Sequence, residues 1–252
     1  MRLENKVAIV TGGGQGIGRG IALKFSQEGA IVVITDIDLE AAQNTEKMIT
    51  LRDRKCLVIK SDVANSLDVK NVVKKTLEEF GKIDILVNNA GVRSVTLLLD
   101  TPEEVWNETL AINLTAQFLF IKEVAPHMIK KGSGKIINIA SVSALKPYRN
   151  RGVYGVSKAG VAMLTKCAAL ELAPEILVNA IAPGIIHTRL TDPYLKEDTS
   201  DSRAMKAYVE SLPIPRMGEP EDIAKMAVFL ASNESDFCTG GLFLVDGGIM
   251  SA

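Results

Sequence analysis

The feature that most constrains this chain is a recurrence of short, β-branched apolar runs. Each stops on or just before glycine, asparagine, aspartate or serine, and a helical stretch follows most of them. Lys6-Val-Ala-Ile-Val-Thr11 stops at the glycines of Gly12 to Gly18. Ala30–Thr35 closes on Asp36, and Cys56–Lys60 leads to Asp62. Ile83–Val87 runs into Asn88-Asn89-Ala90-Gly91, and Lys135–Ile139 delivers Ser141. Leu177–Ile181 precedes Pro183-Gly184, and Leu242–Val245 precedes Asp246-Gly247-Gly248. Continuously apolar strands are those buried on both faces, and alternation with helices implies parallel βαβ units connected right-handedly. The expected fold is α/β: one doubly wound, mainly parallel sheet of six or seven strands with helices on both faces.

Helix boundaries follow from their end residues. The helix opened by the glycine loop carries Ile17, Ile21 and Phe25 on its apolar face and ends at Gly29. Asn65 or Ser66 caps a helix that stops at Gly81. Thr101-Pro102-Glu103-Glu104 predicts a capping box with proline at the first helical position, leading into a second helical stretch through about Lys131. Residues 188–215 read as a polar, partly helical insertion, and Pro220 starts a further helix. With no linker, repeat or low-complexity tract, residues 1–252 are expected to form a single domain.

Composition narrows the function classes. The 29 Lys+Arg nearly cancel 30 Asp+Glu, for a formal net charge of -1, which speaks against nucleic acid or an anionic membrane as an obligate partner. Cys56, Cys167 and Cys238 are isolated, and only His127 and His187 are present, so neither a disulfide framework nor a metal site is expected. No signal-peptide pattern opens the chain and no apolar run reaches bilayer length, so a soluble cytoplasmic protein is expected.

In such sheets ligands bind beyond the carboxyl ends of the strands, where these polar residues gather. The loop Thr11-Gly-Gly-Gly-Gln-Gly-Ile-Gly18 permits a tight turn and a close approach of phosphate to a helix start. Gly12, Gln15, Gly16, Ile17 and Gly18 are therefore candidate cofactor contacts. Asp36 suits the hydroxyls of an adenosine ribose and would repel a 2′-phosphate. Gln15 and Ile37 bring no cation for such a phosphate, which favours NAD over NADP. Farther on, Tyr154 and Lys158 stand at i and i+4 of a helical stretch and would share a face. A lysine cation favours phenolate over phenol, which suits general acid/base work.

Taken in order, TGGGQGIG at Thr11–Gly18, Asp62-Val63, NNAG at Asn88–Gly91, Asn113, Ser141, YGVSK at Tyr154–Lys158, PGIIHT at Pro183–Thr188 and VDGG at Val245–Gly248 resemble the short-chain dehydrogenase/reductases of the single-domain type. The resemblance spans essentially the whole chain and implies a Rossmann-like, seven-stranded fold. It implies that Tyr154 is the general acid in carbonyl reduction and the base in alcohol oxidation. It also implies that Lys158 depresses the Tyr154 pKa and bonds the nicotinamide ribose, that Ser141 donates to the substrate oxygen, and that Asn113 holds a water linking Lys158 to solvent. Asp62 and Val63 would lie beside the adenine and Asn89 under the adenosine side. Ala90, Gly91, Pro183 and Gly184 would line the cofactor, with Ile186 and Thr188 at the nicotinamide. Ser143 competes with Ser141, but the family spacing favours Ser141.

Arg93, Lys146, Arg149 and Arg151 place four cations in the segments that set substrate choice. They favour a small-molecule substrate with an acidic or phosphorylated group, against the competing reading of a solvated basic rim. Within an NAD-dependent alcohol–ketone oxidoreductase, a 3-oxoacyl-carrier-protein reductase and a sugar or hydroxy-acid dehydrogenase both stay open. The rival classes are a non-catalytic dinucleotide-sensing protein and a structural subunit. The resemblance implies a homotetramer, for which Leu114, Phe118, Ile121, Val161, Leu164 and Ala168 would supply apolar faces.

Overall fold

The computed structural model describes residues 1–189, 191 and 200–251. Part of the expected 188–215 insertion, residues 190 and 192–199, lies outside them. Among the described residues, seven strands form one parallel sheet: β1 (Val7–Thr11), β2 (Ile31–Asp36), β3 (Cys56–Lys60), β4 (Ile85–Asn88), β5 (Gly134–Ile139), β6 (Ile176–Pro183) and β7 (Leu242–Val245). Their spatial order is β3-β2-β1-β4-β5-β6-β7. Chain direction across the sheet reverses between β1 and β4, so a crevice opens there at the carboxyl edge.

The helices are α1 (Gly16–Gln27), α2 (Leu39–Thr50), α3 (Ser66–Phe80), α4 (Glu103–Leu110), α5 (Ala116–Lys131), α6 (Gly152–Leu172), α7 (Ser200–Glu210) and α8 (Pro220–Ala231). They cover both faces because alternate strand residues point to opposite sides. Ala8 and Val10 of β1 join Ile34 of β2 in one core layer, packed on Ile21 and Phe25 of α1 and Val228 of α8. Val7 and Ile9 point the other way, with Val33, toward Val72 of α3 and Phe120 and Val124 of α5. The all-apolar strands at the centre of the sheet are thus accounted for: successive residues pack on opposite helix layers.

Two local expectations are corrected. Thr101 does not cap α4: its hydroxyl pairs with Thr96 Oγ1 at 2.8 Å and Leu97 O at 2.9 Å, and Pro102 precedes the helix without a side-chain cap. The helical stretch from α4 to α5 is also not continuous α-helix, because Ala111–Thr115 forms a π-helical turn between them. Of the residues expected to form an association face, Ile121, Val161 and Ala168 are buried within the chain's own core. Leu114 and Leu164 pack against that core, and Phe118, 46% exposed, is left on the surface.

The sheet edge opposite the crevice is fastened by charge. Asp84, 5% exposed, accepts hydrogen bonds from Lys131 Nζ at 2.6 Å and Val7 N at 2.9 Å, with Lys82 Nζ at 3.1 Å. Burial pushes its carboxyl up, but these partners outweigh burial and hold it below the usual aspartate value. A depressed pKa stabilises the fold above the unfolded-state pKa of about 4 and loses that effect as pH falls through it. Asp84→Asn should therefore lower unfolding free energy by roughly 2–3 kcal/mol at neutral pH. Urea titrations of both proteins at neutral pH and near pH 3 check this, because the gap should shrink in acid.

Candidate active site

The crevice is shaped first by Thr11, the last residue of β1. Its Oγ1 accepts the Asn89 N–H at 2.9 Å and the Ala90 N–H at 3.0 Å. In return Asn89 Nδ2 donates to Thr11 O at 2.9 Å and Gly12 O at 3.1 Å. The loops after β1 and β4 are thereby welded across the switch point. Asn89, expected under the adenosine side, acts on the seat by fixing the glycine loop, since its amide nitrogen is engaged within the protein. Gly18 could not be any other residue: an added Cβ would lie 2.0 Å from Gly12 O.

Asp36, 8% exposed at the end of β2, accepts Gly14 N–H at 2.9 Å and Asp38 N–H at 3.0 Å. From the far side, Arg19 donates to Gly14 O through Nε at 3.0 Å and Nη2 at 2.5 Å. This arginine was not singled out in the sequence; its place one turn into α1 was the available signal. Gln15 is exposed, as is Ile37, so no cation stands beside Asp36 at either position. Asp62 is exposed, with Oδ1 accepting Ala64 N–H at 2.9 Å, while the Val63 side chain is buried in the core layer. Pro183 ends β6, and Gly184 sits so close to Asp246 that a Cβ would come within 2.7 Å of its Cα. Ile186, 6% exposed, bridges to Gly218. Thr188 comes over the glycine loop, 3.3 Å from where a Gly16 Cβ would stand, and its N–H donates to Thr191 Oγ1 at 2.9 Å.

A dinucleotide fits this seat. Helix α1 starts without a side-chain cap and with no acidic residue in its first turn, so its positive end is left for an anion. Gly12 to Gly18 would hold the pyrophosphate, Asp36 the adenosine ribose, and Ile186 and Thr188 the nicotinamide end.

Beyond Gly91 the groove floor is polar and buried. Asn113 lies in the π turn and is fully buried. Its Oδ1 accepts Val92 N–H at 2.8 Å, and Nδ2 donates to Val92 O at 2.9 Å and Ser157 Oγ at 3.0 Å. Ser157 Oγ then donates to Tyr154 O at 2.7 Å, a link the sequence reading did not pick out. Both Asn113 amide protons are engaged and its oxygen accepts one bond, so the second Oδ1 lone pair and the carbonyls of the widened turn are the acceptors a water could use here. Asn88, also beneath the groove, donates to Asn138 Oδ1 at 2.9 Å and is part of the interior.

Lys158 is 4% exposed, donates to Ile139 O at 2.8 Å and lies 5.8 Å from the centroid of the Tyr154 ring. Burial pushes its ammonium down to about 8. The Tyr154 phenol is raised by burial, against which its hydrogen bond with Ser141 and the charges of Arg93 and Arg151 act downward. It is Ser141 and the two arginines, rather than Lys158, that draw the phenol down. Ser141 and Ser143 are both buried, and Ser143 N–H donates to Ser141 Oγ at 3.1 Å. Among the four candidate substrate cations, Arg93 and Arg151 therefore bear on Tyr154, while Lys146 and Arg149 are exposed on the loop.

Comparisons with known proteins give this arrangement a lineage. A family model described as enoyl-(acyl carrier protein) reductase matches residues 12–250. An uncharacterized oxidoreductase of Thermotoga maritima is 43% identical over 249 residues, covering 98% of this chain and 96% of that protein. The 3-oxoacyl-[acyl-carrier-protein] reductase FabG of the same organism is 38% identical over 251 residues, 99% of this chain and 100% of that protein. A short-chain type dehydrogenase/reductase from Mycobacterium marinum superposes with a TM-score of 0.92 at 35% identity, covering 99% and 97% of the two chains. The chain belongs to the short-chain dehydrogenase/reductase family. It is accordingly an oxidoreductase of CH–OH groups that works with a nicotinamide dinucleotide.

Thr11 gives a direct test of the weld at the switch point. Thr11→Val would leave the Asn89 and Ala90 N–H groups without an acceptor and should cost roughly 2–3 kcal/mol, whereas Thr11→Ser should restore most of it. Denaturant midpoints of the three proteins check this.

Proposed function

We propose that this protein is an NAD(H)-dependent oxidoreductase that interconverts a secondary alcohol and a ketone, with Tyr154 as general acid/base. The observation that carries the reading is the pairing of Tyr154 with a buried Lys158 at the end of a crevice whose other half holds Asp36 beside the glycine loop. A bound nicotinamide would supply the hydride acceptor for alcohol oxidation and the hydride donor for ketone reduction. During oxidation Tyr154 Oη takes the hydroxyl proton, and during reduction it delivers a proton to the developing alkoxide. Ser141 holds the substrate oxygen where negative charge grows. Lys158, at about 8, can hold or release a proton near neutrality, which suits a relay from Tyr154 toward a water at Asn113.

NAD is preferred over NADP because the Asp36 carboxylate would face a 2′-phosphate with no cation at Gln15 or Ile37 to neutralise it. Residues 1–252 act as one dinucleotide-binding and catalytic domain, and the substrate is a small molecule bearing an acidic group. The same reading includes a cytoplasmic setting, in keeping with three cysteines left as thiols. It also includes a homotetramer. Val156, Met163 and Leu170 recur at seven-residue spacing on α6 and are 49%, 59% and 86% exposed, and Phe118 and Ile129 of α5 are also exposed. The FabG relative keeps a 3-oxoacyl-carrier-protein substrate as the second reading.

Mixing the protein with NAD or NADP and a panel of secondary alcohols, followed by nicotinamide absorbance, tests the reading. Turnover should favour NAD, and Asp36→Ala should erode that preference by at least about tenfold. Tyr154→Phe should lower kcat by roughly 100- to 10,000-fold, and undiminished turnover would refute the mechanism. Because burial raises the Tyr154 phenol, its basic form is scarce at neutral pH. Alcohol oxidation should therefore keep rising with pH without levelling off below the ordinary tyrosine value of about 10, while ketone reduction does not rise.

A further inference from the structure

One carbonyl of the glycine loop gathers three donors. Gly14 O accepts Arg19 Nε at 3.0 Å, Arg19 Nη2 at 2.5 Å and the Thr45 hydroxyl, shared with Ala41 O, at 3.2 Å. Arg19 Nε also lies 3.1 Å from Thr45 Oγ1, so the guanidinium ties α1 to the buried face of α2. Thr45 is fully buried and Arg19 half-buried, which shields these bonds from competing water. On its other side, Gly14 donates its N–H to Asp36 Oδ2 at 2.9 Å. Asp36 Oδ1 accepts the N–H of Asp38, the cap of α2, at 3.0 Å. Gly14 is thus held at both ends, between a cation and a carboxylate. It has no slack, since an added Cβ would lie 2.8 Å from Asp36 Oδ2 and 2.9 Å from Ala42 N.

We propose that Arg19 is a positioning residue for the cofactor: by pinning Gly14 it aims the Asp36 carboxylate at the adenosine ribose and so sharpens the choice of a free 2′-hydroxyl. The proposal rests on the NAD reading above and deepens it. Each Asp36 oxygen already carries one backbone N–H, so a further lone pair on each is left for the ribose hydroxyls. Their aim depends on where Gly14 stands, because the terminal torsion of an aspartate is soft until its partners are fixed. Without Arg19, Gly14 O keeps only the shared Thr45 proton, and the loop is free to swing its N–H off Asp36. Two donors from one charged, planar group make that swing costly. A direct grip of Arg19 on a cofactor phosphate is the rival, and it predicts a loss of binding that does not depend on Asp36.

Calorimetry measures NADH and NADPH affinity on wild type, Arg19→Met, Arg19→Lys, Asp36→Ala and the double variant Arg19→Met/Asp36→Ala. Arg19→Met should weaken NADH by about tenfold when Asp36 is present and by less than about twofold once it is alanine. Its NADPH affinity should fall by no more than about twofold, and Arg19→Lys should recover part of the NADH loss. Equal losses in both backgrounds, equal losses for the two cofactors, or no loss at all would each overturn the proposal. In parallel, amide hydrogen exchange of residues 12–18 is followed on the ligand-free protein. The Gly14 amide should exchange at least about tenfold faster in Arg19→Met, and an unchanged rate would also overturn the proposal. Where Arg19→Met does not fold, Thr45→Val takes its place, since it removes a donor to Gly14 O and an acceptor of Arg19 Nε; its NADH loss should be about threefold. Failure of wild type to bind NADH sinks the NAD reading, and the Gly14 amide then still decides Arg19.

Discussion

Everything at the carboxyl edge of the sheet depends on how one hydroxyl is used. Adjacent parallel strands whose connections leave in opposite directions must part at their ends, and backbone N–H groups there have no ladder partner. Thr11 Oγ1 supplies that partner to both Asn89 and Ala90, and Asn89 answers with two bonds to the glycine loop. Close approach follows from this weld. It is because Gly12 is held against Ala90 and Asn89 that neither it nor Gly18 has room for a Cβ. The crevice is therefore open by construction, and it needs no ligand to prop its two loops apart.

The same economy of partners sets the electrostatics of the floor. Lys158 is buried and donates to a backbone carbonyl, Ile139 O, so desolvation wins and the ammonium falls to about 8. Tyr154 meets the same desolvation with opposite sign, since its neutral form is the one favoured by burial. Burial thus drives the two groups apart in proton affinity: the phenol holds its proton more tightly while the ammonium releases its own more readily. Starting from ordinary values of about 10 for each, both shifts favour the uncharged pair. The Arg93 and Arg151 charges and the Ser141 hydrogen bond then trim the phenol back.

Much of this was legible in the sequence, and the failures share a cause. Strands such as Cys56–Lys60 and Leu242–Val245 were found to the residue because β-branched apolar runs ending at loop-forming residues carry a local signal. Asn65 and Gly81 bound α3 as expected, again by local chemistry. The π turn at Ala111–Thr115 had no such signal; it exists where Asn113 reaches both Val92 and Ser157, residues far away in the chain. Thr101 looked like a cap, but Thr96 and Leu97 were nearer partners for its hydroxyl. Ile121, Val161 and Ala168 read as a stripe whose destination, core or partner, only packing decides. Arg149 and Arg151 were equivalent in the sequence until the left-handed turn at Asn150 set them apart.

That last case shows how the fold divides labour. The cofactor half of the crevice is built from strand ends and from the start of α1, elements fixed by the sheet register. The other half is built from two loops that touch each other through Thr96, Asn150 and Arg151 before they touch anything else. A change in those loops can re-aim Arg93, Tyr148 or Arg151 without disturbing Thr11, Asp36 or Lys158, which are held by bonds to strand ends and to the glycine loop. They meet at the Tyr154 hydroxyl, where the loop charges and the strand-end serine act on the same proton. Substrate choice and proton transfer are consequently separable in the scaffold yet coupled at the reacting atom.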